Sequence, residues 1–137
     1  TQDTSSAASD VYKRQGLGLI DNQDAVYGNI AYDLASLIDD VRFRTNIKIK
    51  NYIFNEFIKK NKSLDCKKFK QDFEILSVLR NFKIIGIFTR LSVRDKKHKY
   101  LKLIPYAWQM INNRSVNNPI FKDLNSLINK YFEKKKH

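Results

Sequence analysis

Two carboxylates three residues apart, Asp21 and Asp24, follow a short apolar run, Gly16-Leu17-Gly18-Leu19-Ile20. Such a run reads as a buried strand that delivers a polar side chain at its end. A carboxylate on that rigid mount, with a second close by, suits a hard cation, since Mg²⁺ is held by one or two carboxylates plus substrate phosphates. Spacing alone equally describes an acidic loop. Further along, Arg90 and Arg94 stand one helical turn apart. A guanidinium pairs bidentately with a carboxylate, so the two are candidate contacts for an anionic ligand. Ion pairs with Asp39, Asp40 or Asp95 are the structural alternative. His98 and His137 have no Asp and Asn downstream at catalytic-loop spacing and read as surface histidines.

The elements that must position these groups are mostly helical. Gly28 and Asn29 mark a turn after the acidic segment. Asp33 is placed to cap a first helix whose apolar stripe is Leu34, Leu37, Ile38 and Val41. A second helix fits residues 46–60, with Ile49, Tyr52, Ile53 and Phe57 as its buried side. Ser63 to Asp65 breaks it. A long third helix spans residues 66–91, and Phe69, Phe73, Leu76, Leu79 or Arg80, Lys83 or Ile84, Ile87 and Leu91 keep near-helical spacing. A polar loop covers 94–99. A fourth helix begins near Tyr100 and is interrupted or restarted at Pro105. Residues 112–118 read as a loop, and Pro119 suits the first turn of a final helix with Phe121, Leu124, Leu127, Ile128 and Tyr131 inward. The expected class is α+β but mainly α-helical: a helical lobe with a short β element at its front edge.

Residues 1–15 differ from the Lys/Ile/Asn-rich body. They are rich in Ser, Ala, Thr and Asp and lack apolar periodicity. They read as translated adaptor or vector sequence, with a disordered linker as the alternative, and residues 16–137 read as part of a larger lobe. The 137 residues allow one domain or part of one. No run of eighteen uncharged apolar residues supports a membrane span. The single cysteine, Cys66, excludes an internal disulfide and a cysteine-based metal cage, and fits a reducing cytoplasm. The formal net charge of +12 invites a nucleic-acid reading. Lysine far outnumbers arginine, however, and isoleucine and asparagine are also abundant; all three have AT-rich codons. Codon bias plus solvated helix faces accounts for the charge without a nucleic-acid partner.

The stretch Gly18 to Gly28, followed by Ala31-Tyr32-Asp33-Leu34-Ala35-Ser36-Leu37, resembles the metal-binding segment of the aminoglycoside phosphotransferase and choline kinase superfamily. More narrowly it resembles the bacterial N-acetylmuramate/N-acetylglucosamine anomeric kinases, whose segment ends as Gln23-Asp24-Ala25 does here. A second similar stretch is Gly86-Ile87-Phe88-Thr89-Arg90-Leu91, followed by Arg94-Asp95, Tyr100-Leu101 and Pro105. The resemblance implies part of the C-terminal lobe of a protein-kinase-like fold, using ATP and Mg²⁺ in amino-sugar recycling from the cell wall. It implies that Asp21 holds the metal, that Asp24 is a secondary metal or substrate contact, and that Asp33 supports the catalytic loop. Asn22 departs from the pattern, standing where that branch usually has Phe. No His-Gly-Asp-x-x-x-x-Asn catalytic loop occurs in the chain, so no catalytic residue is assigned and the chain alone is expected to be inactive.

The scarcity of acids after Asp40, with Arg90 and Arg94 near the second stretch, favours a neutral or anionic sugar over a polycationic aminoglycoside. Two other readings are a choline- or aminoglycoside-type phosphotransferase and a basic helical module that binds nucleic acid. The composition of the first fifteen residues generates a direct expectation. Deleting them leaves the melting temperature unchanged; a drop of several degrees on thermal denaturation would show that they belong to the fold.

Overall fold

The computed structural model describes residues 28–132. The expected strand at residues 16–20, Asp21, Asp24 and the 1–15 segment lie outside the described residues. Among the described residues there is no strand. Five α-helices follow one another: α1 (Ala31–Ile38), α2 (Ile47–Lys60), α3 (Cys66–Asp95), α4 (Ile104–Ser115) and α5 (Lys122–Phe132). Single 3₁₀ segments, His98–Leu103 and Pro119–Phe121, lead into α4 and α5.

Local chemistry explains the boundaries. Asn46 precedes α2 in extended conformation, and its side-chain oxygen accepts the Lys48 N–H at 2.8 Å. Asp65 does the same for α3, accepting from Lys67 and Lys68 at 2.9 and 3.1 Å. Each satisfies backbone donors that a helix start leaves unpaired. Pro105 falls in the first turn of α4, where its missing N–H costs nothing. Asn118 caps the turn at Pro119 by accepting the Ile120 N–H at 3.1 Å.

The expected cap at Asp33 is corrected. Helix α1 starts three residues earlier, with Ile30 in the cap position, because Asn29 Oδ1 accepts the Ala31 N–H and its carbonyl accepts the Tyr32 N–H, both at 2.9 Å. Asn29 Nδ2 also donates to Asp72 on α3 at 2.8 Å, tying the turn to that helix. Asp33 therefore lies in the first turn of α1 with its side chain exposed, where the helix dipole favours a negative charge. Two expected loops are also shorter than their polarity suggests. Helix α3 continues to Asp95, and Lys96 closes it in a left-handed conformation (φ 55°) with its N–H on the Leu91 carbonyl. Helix α4 continues to Ser115.

Helix α3 is the spine. Its 30 residues extend about 45 Å at 1.5 Å per residue. Its first third packs on α1 and α2: Phe69 and Phe73 meet Ala31, Leu34, Ala35 and Ile38, with Phe54 and Phe57 of α2 against them. Its last third, through Phe88, meets Val41, Ala107 and Met110. Between these, Val78 meets Ile111 of α4 and Phe121. Three sets of partners on one helix mean that no single stripe describes it. Leu79, expected inward, is 57% exposed, while Ser77 and Asn81 are buried. On α2, Ile49 and Tyr52 face outward and Lys50 is buried instead. Leu37, Leu127 and Tyr131 are likewise exposed.

The revised stripe separates two substitutions on α3. Phe73→Ala removes a buried ring tilted against Phe54 (centroids 4.9 Å apart) and is expected to cost about 3–5 kcal/mol. Leu79→Ala is expected to stay within about 0.5 kcal/mol. Denaturant unfolding of the pair checks both; similar losses would mean that the inward face of α3 is misassigned.

Candidate functional site

The charged centre of the molecule is Asp39, the residue that ends α1. It is almost completely buried. Its Oδ1 accepts a hydrogen bond from Lys50 Nζ of α2 at 2.8 Å. Its Oδ2 accepts from Ser77 Oγ of α3 at 2.6 Å and from Arg114 Nε and NH2 of α4 at 3.3 and 3.0 Å. Its backbone carbonyl accepts from Arg80 NH1 at 3.1 Å. One residue thus joins four helices through directed bonds.

Sequence position explains why these polar groups are inside. Asp39 follows Ala31 and Ala35 at intervals of four, so helical periodicity carries it onto the buried face of α1. Lys50 lies three and four residues before Ile53 and Phe54, in phase with the buried side of α2. Ser77 is one turn after Phe73, and Arg114 is one turn after Met110 and Ile111. The signal was therefore present: an acid and two bases each in register with apolar stripes. It was missed because isolated charges were assigned to solvated faces.

The electrostatics follow from this geometry. Burial pushes the Asp39 carboxyl pKa up. The neighbouring Arg114 charge, the hydrogen bonds from Lys50 and Ser77, and the Lys50 charge together outweigh burial and hold it below the usual carboxylate value. Lys50 Nζ also lies 3.5 Å from Met110 Sδ and 5.7 Å from the centre of the Tyr106 ring. Arg44 sits near the same ring at 5.2 Å. Arg114 rests 4.8 Å from the centre of the Phe73 ring. Two cations to one carboxylate leave a local excess of positive charge.

That excess borders open space. A cleft of about 370 Å³ lies between α2, α3 and α4, and Lys50 and Arg114 form part of its wall. A small cavity of about 70 Å³ reaches the same two side chains from the Asp39 side. A larger cleft of about 540 Å³ between α4 and α5, with Trp108 and Asn112 on its wall, carries no charged side chain among the described residues.

The sequence-assigned site residues are placed as follows. Asp21 and Asp24, assigned to Mg²⁺, lie outside the described residues; among the described residues no three His, Cys, Asp or Glu side chains gather as a metal site. Arg90 and Arg94 share one exposed face of α3 near its end. Arg94 is paired with its neighbour Asp95, Nε to Oδ1 at 2.6 Å and NH2 to Oδ2 at 3.1 Å. These arginines and the Asp39 centre are separate features: Arg90 is about 20 Å along the helix from Ser77 at 1.5 Å per residue. No helix among the described residues is long and apolar enough to cross a membrane.

A helical unit with this sequence is related to kinases. No family model matches the chain. The curated relatives are kinases of amino sugars. The chain is 33% identical over 92 residues to the N-acetylmuramate/N-acetylglucosamine kinase of Caulobacter vibrioides, covering 67% of this chain and 25% of that protein. It is 35% identical over 94 residues to the protein of the same name from Neisseria meningitidis, covering 64% and 28%. The Pseudomonas putida protein is 28% identical over 117 residues, covering 81% and 34%. The chain thus spans between a quarter and about a third of the length of these relatives.

The Asp39 centre generates a pH-dependent expectation. Asp39→Asn leaves the buried Lys50 and the half-buried Arg114 without their counter-charge and is expected to cost about 3–5 kcal/mol at pH 7. Because the folded-state pKa is depressed, the contribution is complete above the unfolded value and is lost as pH falls through the folded one. The stability gap between the natural chain and Asp39→Asn should narrow below about pH 4. Urea titrations at several pH values test this; a gap constant across the acid range would remove the assigned role of the carboxylate.

Proposed function

We propose that the chain is part of the helical lobe of an ATP- and Mg²⁺-dependent phosphotransferase that acts on an amino sugar, N-acetylmuramate or N-acetylglucosamine, in cytoplasmic recycling of cell-wall sugars. The observation that carries this reading is the sequence relationship to kinases of these sugars over most of the chain's length. The mainly helical architecture agrees with an acceptor-side lobe.

In this reading the chain contributes ligands and framework, and the base and the nucleotide cleft come from elsewhere in the enzyme. Asp21 offers its carboxylate to Mg²⁺ at the end of an apolar run, and Asp24 supplies a second carboxylate three residues on. Bound Mg²⁺ supplies charge neutralisation at the nucleotide phosphates. Asp33, in the first turn of α1, would support the catalytic loop. Arg90 and Arg94 offer guanidinium groups to the acceptor, although Arg94 already shares its fork with Asp95. The sequence contains no catalytic-loop motif, so the isolated chain has no turnover of its own.

A chimaera tests the reading. The matching part of the chain replaces the corresponding 92-residue segment of the Caulobacter vibrioides kinase. ATP-dependent phosphorylation of either sugar is expected from the chimaera and not from the 137-residue chain alone. Asp21→Asn in the chimaera should lower kcat by about a hundredfold, close to 3 kcal/mol of barrier, with little change in thermal stability. Near-normal turnover of that variant at saturating Mg²⁺ would overturn the metal assignment. A folded chimaera that transfers phosphate to neither sugar would overturn the function.

A further inference from the structure

The cleft between α2, α3 and α4 has an unusual wall. Three cations line it, Lys50, Lys70 and Arg114, against one acid, Glu74. Phe54 and Phe73 give it an apolar side. Lys50 and Arg114 are both anchored on Asp39, which fixes their positions without cancelling both charges. Glu74 is engaged by Asn118 Nδ2 at 2.7 Å. Arg114 spends Nε and NH2 on Asp39, and a guanidinium has five N–H donors, so donor capacity remains at the wall. Two amides, Asn51 and Asn55, stand one turn apart along α2 on the same wall and offer both donors and acceptors.

We infer that this cleft binds a small organic oxyanion, a sugar-sized molecule bearing a carboxylate or phosphate. Lys70 and Arg114 receive its charge, Phe54 and Phe73 take its apolar face, and Asn51 and Asn55 bond its hydroxyl or amide groups. Several features favour a ligand over a structural void. The cations are held in place before any ligand arrives, so little conformational entropy is lost on binding. The low-dielectric aromatic wall strengthens each charge–charge contact. The volume of about 370 Å³ lies within the usual range for small-molecule sites. Arg90 and Arg94, exposed near the end of α3 with Arg94 paired to Asp95, lie outside this cleft and are a separate candidate contact.

The inference rests on the amino-sugar reading only in the choice of probes. Binding is measured by NMR on the 137-residue chain, without nucleotide, with three probes that share one sugar body. N-acetylmuramate adds a carboxylate, N-acetylglucosamine 6-phosphate adds a phosphate, and N-acetylglucosamine adds neither. At least one charged sugar should bind about tenfold or more tightly than the neutral one, and the tighter of the two names the oxyanion. Resonances of Asn51 and Asn55 should shift, and added salt should weaken binding. Lys70→Glu alters an exposed residue, leaves the Asp39 centre intact and should reduce affinity at least about fivefold. Asn55→Leu should weaken the sugar body's contribution without abolishing the preference for charge. Equal affinity for all three sugars, shifts confined to residues outside the cleft, or unchanged affinity in Lys70→Glu would overturn the inference. An inactive chimaera together with preserved discrimination here would reject phosphotransfer and leave this site standing. Active transfer without discrimination would do the reverse.

Discussion

A single carboxylate, that of Asp39, sets the terms for the arrangement of four helices. Burying it alone would be prohibitive, since an isolated ion cannot be taken out of water without compensation. Lys50, Ser77 and Arg114 supply the compensation from three different helices, and each must arrive with its donor within about 3 Å. Apolar contacts tolerate sliding and rotation, whereas these bonds do not. The helix faces are consequently indexed to one another: α2 must turn Lys50 inward, and α4 must end with Arg114 at the same point.

This requirement explains features that hydrophobic patterning alone leaves odd. Helix α2 turns Ile49 and Tyr52 outward although both are large and apolar, because the face that includes Lys50, Ile53 and Phe54 is the one that reaches both Asp39 and the aromatic cluster. Helix α3 buries Ser77 one turn after Phe73, where its hydroxyl donates to Asp39. The placement of two cations around one anion also gives the α2–α3–α4 cleft its positive wall. Structural chemistry and binding chemistry thus share the same side chains.

The sequence made the helices themselves largely readable. The expected helices over 46–60 and from residue 66 start within a residue of the observed α2 and α3, Pro105 falls in the first turn of α4, and Pro119 opens the 3₁₀ turn that leads into α5. The inward faces were less readable. Periodicity analysis rewards apolar residues and passes over the buried Lys50, Ser77 and Asn81 and the half-buried Arg114, whose inward positions depend on partners distant in the chain. Loop lengths were overestimated for a related reason: the residues from Arg94 and from Asn112 onward are polar, yet polar residues continue a helix when one of its faces is solvated. The site was divided. The Asp21 and Asp24 segment was assigned by resemblance alone and lies outside the described residues, whereas the Asp39 centre needed three-dimensional proximity between residues 39, 50, 77 and 114.

The way α3 ends has an ionic-strength consequence. Lys96 adopts a left-handed conformation that costs a side-chain-bearing residue more than it would cost glycine. Lysine at that point also brings a cation, joined by Lys97, to the negative pole of a 30-residue helix. The strain is steric and indifferent to dissolved ions, while the attraction is screened by them. In dilute solution the two effects oppose each other; in concentrated salt only the steric cost remains. The contribution of Lys96 to the C-terminal turn of α3 therefore falls as salt rises, and the advantage of glycine at that position grows.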